Sequence, residues 1–157
     1  MTETATCLWF DRDGEEAARF YTGLFPDSRI TRVAYAPGDF PGGKAGDPLV
    51  VDFTLAGRPY MILNGHMDIP FTQAASILVT CEDQAEVDRY WSALTADGGE
   101  EVACGWCRDR WGLSWQITPR VLTDALAQGG PEAKRAFEAM MQMKKIDVTA
   151  IEAARRG

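Results

Sequence analysis

The sequence predicts an α+β protein: two consecutive βαβββ modules followed by short C-terminal helices. Three observations carry this. Apolar residues switch from alternation to a helical spacing and back again, twice along the chain. One pattern of charges and aromatics recurs 70 residues after its first appearance. Glycine and proline clusters separate the strand-like runs.

Taken in order, Thr6 to Asp11 alternates as a strand, and Gly14 to Phe25 places Ala17, Ala18, Phe20, Tyr21, Leu24 and Phe25 at helical spacing. Pro26 ends that helix, because proline has no backbone donor to continue the ladder. Ile30 to Tyr35 reads as a strand. Residues 36–48 are too rich in glycine and proline for either element and form a long loop. Strands at Leu49 to Leu55 and Pro59 to Leu63, joined through Ala56-Gly57-Arg58, complete the first module.

The second module repeats the order. Ala74 to Cys81 is a strand, and Gln84 to Leu94 is a helix with Val87, Tyr90, Trp91 and Leu94 on one face. Strands follow near Glu100 to Ala103, Gly105 to Asp109 and Leu113 to Thr118. Asp13, Glu16, Arg19, Phe20, Tyr21 and Leu24 match Asp83, Glu86, Arg89, Tyr90, Trp91 and Leu94 at one offset, a repeat that covers a helix start and an aromatic pair. The expected organisation is a domain of residues 1–118 with modules at about 5–66 and 74–118, and a helical extension over 119–157. In that extension Leu122, Leu126, Phe137, Met140 and Met141 are the expected apolar anchors, with a break at Gly129-Gly130-Pro131.

Composition narrows the function classes. The 157 residues are 46% hydrophobic, enough to close a core, and carry a formal charge of −7. That charge repels phosphate backbones and anionic headgroups, so neither nucleic acid nor a membrane surface is an expected partner. The first residues lack a basic segment followed by an apolar one, and no apolar run is long enough to span a bilayer, so a cytoplasmic location is expected. Four cysteines, Cys7, Cys81, Cys104 and Cys107, are too few and scattered for a secreted disulfide scaffold.

Several stretches narrow the match further: CLWFD (7–11), EEAARFY (15–21), FPDSRI (25–30), ILNG (62–65), EVDRYW (86–91), GWCRDRWGLSWQITPR (105–120) and MQMKKID (141–147). With the paired modules, they resemble the PhnB-like branch of the vicinal oxygen chelate (glyoxalase/bleomycin resistance/dioxygenase) superfamily. Members of this branch often carry the label 3-demethylubiquinone-9 3-methyltransferase. The turn after Phe10, Asp-Arg-Asp-Gly, lacks the glycine-rich pattern usual in S-adenosylmethionine-dependent methyltransferases, so the residues do not support that activity. The resemblance implies two modules whose curved sheets form a cup-shaped mixed sheet with a site inside, and a homodimer. It also implies metal ligands on the first and last strands of each module.

Counting from the helix motif and from Gly57 and Gly112 places those ligand positions at Thr6, Met61, Ser76 and Gln116. Hydroxyl, thioether and amide groups are weak neutral donors, so no metal and no cofactor is expected. Strand alternation places Thr6, Leu8 and Phe10, Ser76, Leu78 and Thr80, and Ser114, Gln116 and Thr118 on the site side. With Met61, Asn64 and His66 at a strand end, these residues form an expected pocket of mixed polarity suited to an unidentified small organic molecule.

Other features carry further expectations. Cys104 and Cys107 have the spacing of dithiol and zinc sites, but residues three apart on a strand face opposite sides and no second pair completes a zinc set. His66, the single histidine, follows Asn64-Gly65 at a pocket rim within reach of a ligand, although an exposed loop histidine needs no function. Trp106, Trp111 and Trp115 cluster near the last hairpin, with Trp115 assigned to packing and Trp111 to an edge. Met140, Met141 and Met143 suit core or a partner chain. The leading expectation is therefore a metal-independent small-molecule-binding homodimer. The alternatives are a metal-assisted glyoxalase- or dioxygenase-type enzyme drawing on Glu100, Asp109 and His66, and an interaction module with an occluded site.

Overall fold

A computed structural model describes all 157 residues. The first compact unit, residues 1–70, contains β1 (Thr6–Phe10), α1 (Gly14–Leu24), β2 (Arg29–Tyr35), β3 (Pro48–Leu55) and β4 (Arg58–Asn64). The second, residues 71–157, contains β5 (Ser76–Cys81), α2 (Gln84–Thr95), β6 (Glu100–Glu101), β7 (Trp106–Arg108) and β8 (Ser114–Pro119). It also holds α3 (Arg120–Gln128), α4 (Gly130–Met140) and α5 (Val148–Arg156). The sheets have the same topology, β1-β4-β3-β2 and β5-β8-β7-β6, with the first strand of each unit parallel to the last and the remaining pairs antiparallel. The α+β architecture of two βαβββ units is thus observed.

In the first unit, α1 packs on β2, β3 and β4 through the small residues Gly14, Ala17 and Ala18 and through Tyr21, all buried. Beneath it the sheet buries Leu8, Phe10, Val51, Phe53, Leu55 and Ile62. The start of α1 is held by a strand: Asn64, 1% exposed, accepts from the Gly14 amide at 2.9 Å and donates through Nδ2 to the Pro48 carbonyl. Asp13 makes no side-chain cap, so Asn64 satisfies the donor that helix geometry leaves free. Ala56 and Gly57, both with positive φ, close the β3–β4 hairpin in the twist-compatible turn geometry. The loop from Ala36 to Asp47 is cross-linked by its own backbone bonds, including Ala36 to Asp47 and a reciprocal Phe40–Gly43 pair.

The second unit caps its helix differently. Asp83 accepts from the Glu86 amide, and Glu86 reaches back to the Glu82 amide. The expected face of Val87, Tyr90, Trp91 and Leu94 is buried, against a sheet that buries Cys81, Cys107, Trp115 and Ile117. Asp109 fixes the β7–β8 hairpin: Oδ1 accepts from the Trp111 and Leu113 amides and Oδ2 from the Trp115 indole at 2.9 Å.

The tail docks on this unit through the Cys104 and Gly105 amides, which donate to the Met143 and Lys144 carbonyls. Gln84 adds a bridge, donating to the Ile146 carbonyl and accepting from the Val148 amide. Its core is Leu122, Ala125, Ala136, Ile146 and Ile151, with Met140 and Met143 packed against it. Three expected anchors, Leu126, Phe137 and Met141, are instead exposed. Ala125 and Ala136 take buried positions there beside Leu122, Ile146 and Ile151.

A β-carbon at Gly14 would sit 2.2 Å from Ile62 Cγ2 and 2.5 Å from Asn64 Oδ1. Gly14→Ala is therefore expected to destabilise the protein by about 1–3 kcal/mol through overpacking, read as a lower urea midpoint. An unchanged midpoint would show that α1 does not seat on β4 in this way.

Candidate functional site

Each helix covers one face of its sheet, so the uncovered face is where side chains are left for a ligand. In the second unit the paired positions Ser76–Ser114, Leu78–Gln116 and Thr80–Thr118 share the face opposite the Ile77–Trp115 and Val79–Ile117 pairs, in which Trp115 and Ile117 are fully buried and Ile77 and Val79 half-buried. Across the antiparallel strands the same face continues through Trp106, paired with Gln116, and Arg108, paired with Ser114 and then with Glu100. The alternation read from the sequence for β5 and β8 describes this face.

The polar groups on it are coupled. Gln116 Nε2 donates to Ser76 Oγ at 2.9 Å, and Arg108 Nη2 donates to Glu100 Oε2 at 2.7 Å. Ser114 is 1% exposed, yet its hydroxyl has no hydrogen-bond partner, and the buried Arg108 Nε has none either. An unsatisfied buried polar group costs about 1–3 kcal/mol, so two on adjacent strands mark a place where the fold has not optimised its own stability. At Arg108 a cleft of about 280 Å³ is lined by Phe71, Glu100, Arg108, Asp109 and Arg110, and Ser114 does not reach its wall.

The first unit corrects the strand reading. Leu8 and Phe10 pair with Ile62 and Asn64 on the helix-covered face, and Thr6 shares their parity, paired with Tyr60. The open face instead carries Cys7 paired with Met61 and Trp9 paired with Leu63. The cause is one extra residue. Three residues, 11–13, join β1 to α1, whereas two, 82–83, join β5 to α2, so a count back from the helix reaches the wrong face in β1. Thr6 and Met61 therefore lie on opposite faces. Asn64 is a structural residue beneath α1. His66, with φ of 54°, lies against the loop, its Nδ1 3.1 Å from the Gly42 carbonyl and its ring edge-on to Phe40.

The donor set does not fit a metal. No three His, Cys, Asp or Glu side chains converge as a site. Of the groups considered as substitute ligands, Asp109 has both oxygens committed to the hairpin, Glu100 is paired with Arg108, and His66 has its Nδ1 against the Gly42 carbonyl. Nor does the β1–α1 connection fit S-adenosylmethionine: Asp11-Arg12-Asp13 carries charge where a nucleotide needs a close backbone approach, and Gly14 is filled in by Ile62 and Asn64. Cys104 sits at a turn with φ of 60°, its sulfur 3.7 Å from that of Met141, while Cys107 is fully buried under α2. Burial, aided by the Asp109 and Glu101 charges, pushes the Cys107 thiol up to about 12, so it is protonated at neutral pH.

Arg108 and Cys7 were not identified as site residues from the sequence. The signal for Arg108 was the hairpin: Asp109 and Gly112 fix the turn, and the register across it pairs Arg108 with Ser114.

The profile of the family described as 3-demethylubiquinone-9 3-methyltransferase matches residues 2–118. A Bacillus cereus protein described as a 3-demethylubiquinone-9 3-methyltransferase, PhnB protein, is 32% identical with a TM-score of 0.67, over 75% of this chain and 99% of its own. Protein PA1353 from Pseudomonas aeruginosa is 17% identical with a TM-score of 0.62, over 76% and 98%. The fosfomycin resistance protein FosX from Listeria monocytogenes is 16% identical with a TM-score of 0.52, over 76% and 93%. The last two likenesses are of fold. No curated protein matches the chain.

Because the Ser114 hydroxyl is buried without a partner, Ser114→Ala is expected to raise stability in the absence of ligand by about 1 kcal/mol. Calorimetry checks this, and a lower melting temperature would mean that the hydroxyl is satisfied in solution.

Proposed function

The chain belongs to the 3-demethylubiquinone-9 3-methyltransferase (PhnB-like) family, within the vicinal oxygen chelate superfamily, and on that premise we propose that it is a small-molecule-binding protein that works without a resident metal. One observation carries the reading: in the second unit a sheet face of mixed polarity is left uncovered by helix, with Ser76, Thr80, Ser114 and Gln116 among Leu78 and Trp106. Apolar residues supply affinity there, and the hydroxyls and amide fix orientation. In the first unit Met61, with Cys7 and Trp9, offers the corresponding open face. Thr6 lines a separate shallow cleft with Arg58 and Tyr60.

The reading includes a homodimer, supported by the exposed apolar residues Leu126, Phe137 and Met141 on the tail, and a cytoplasmic location, supported by four unpaired cysteines. No helix is long and apolar enough to cross a membrane. Methyl transfer, the activity in the family's description, gains no support from the β1–α1 connection.

The test is native mass spectrometry of protein purified without added metal. The expected spectrum shows the chain with an organic adduct and no stoichiometric metal, and Gln116→Ala lowers adduct occupancy. Stoichiometric Mn, Fe, Zn or Ni that is lost in Gln116→Ala would overturn the proposal.

A further inference from the structure

The two buried side-chain atoms that lack partners, Arg108 Nε and Ser114 Oγ, belong to residues paired directly across β7 and β8. Ser76 stands next in the same row, paired with Ser114 on the other side, and its oxygen already accepts from Gln116. Its own proton is left to donate. The row Ser76, Ser114, Arg108 therefore presents two hydroxyl protons and one guanidinium N–H side by side, on strands about 4.8 Å apart.

We propose that this row is an oxyanion subsite, taking the carboxylate or phosphoryl group of a small organic acid between Ser114 and Arg108. The inference rests on reading the open face of the second unit as a ligand surface, and adds the chemical class of what it holds. Donors without a matching acceptor call for an acceptor, and a charged one makes the shorter and stronger bond to guanidinium. Both atoms are closed to bulk water in the ligand-free chain, so an acceptor reaches them by displacing the side chains that cover them, and in that low-dielectric setting a bond to a charged acceptor gains strength.

The neighbours suit that role. Glu100 binds Nη2 and so holds the guanidinium plane, leaving Nε for the ligand. The cleft that opens beside Arg108 is also lined by Arg110, which adds positive charge at its mouth. Asp109 lines the cleft as well, but its carboxylate is already spread over three donors. Glu100 is thus the group that opposes a bound anion while orienting the residue that binds it.

The experiment follows the Arg108 Nε–H, Gln116 side-chain amide and Trp106 indole resonances of the ¹⁵N-labelled full chain during titration with acetate, inorganic phosphate and neutral acetamide. The expected result is a saturable Arg108 Nε–H shift with acetate or phosphate and none with acetamide. The tighter of the two anions assigns carboxylate or phosphoryl. Ser114→Ala is expected to weaken that binding by about tenfold, while Glu100→Gln tightens it. Acetamide binding as tightly as both anions, with shifts only at Gln116 and Trp106, would overturn the oxyanion assignment and leave the face a ligand surface. No shift at any of the three reporters would overturn both.

Discussion

A helix laid across one face of a four-stranded sheet divides every strand residue between packing and exposure. In this protein that single constraint decides which residues are available for chemistry. α1 and α2 commit Phe10, Ile62, Asn64, Cys107, Trp115 and Ile117 to the interior of their units. The period of two along each strand then leaves Met61, Ser76, Ser114 and Gln116 on the opposite sides. The seating of the helices is itself specified by small contacts, namely Gly14 against Ile62 and Asn64 in one unit and the Asp83 cap in the other.

The two units meet this constraint with different local devices. In the first, the helix start borrows its hydrogen-bond acceptor from the last strand, so Asn64, expected in the pocket, is a structural residue. In the second, the helix caps itself through Asp83 and Glu86, and the last strand keeps a free polar face. Asp109 completes the asymmetry by spending its whole carboxylate on a hairpin that presents Arg108 beside Ser114. The polar chemistry of the chain is concentrated accordingly on the second sheet, whose open row carries the two unsatisfied buried atoms. Groups that reduce stability while adding donors are characteristic of sites shaped by binding.

Much of this was legible in the sequence. The two-module fold follows from the repeat of Asp13, Glu16 and Arg19 as Asp83, Glu86 and Arg89, because helix starts and amphipathic faces are local and periodic. The faces of β5 and β8 were readable for the same reason. β1 was not, because a one-residue difference in a connecting turn leaves the helix repeat intact and inverts every side chain of the strand before it. Nor was the pairing of Arg108 with Ser114, which depends on hairpin register. In the tail, helical spacing identified Leu126, Phe137 and Met141 as apolar but could not show that Ala125 and Ala136 take the buried positions.

In the proposed function, ligand chemistry belongs to the open face of the second sheet and not to the helix-covered faces. Two side-chain amides report on the two kinds of face, Gln116 beside Ser76 and Asn64 beneath α1. The most direct measurement is a ¹⁵N spectrum of the full chain titrated with a library of small organic fragments. The Gln116 amide and Trp106 indole are expected to move while the Asn64 amide and Trp115 indole stay fixed. Movement confined to Asn64 and Trp115, with Gln116 and Trp106 unchanged, would contradict it.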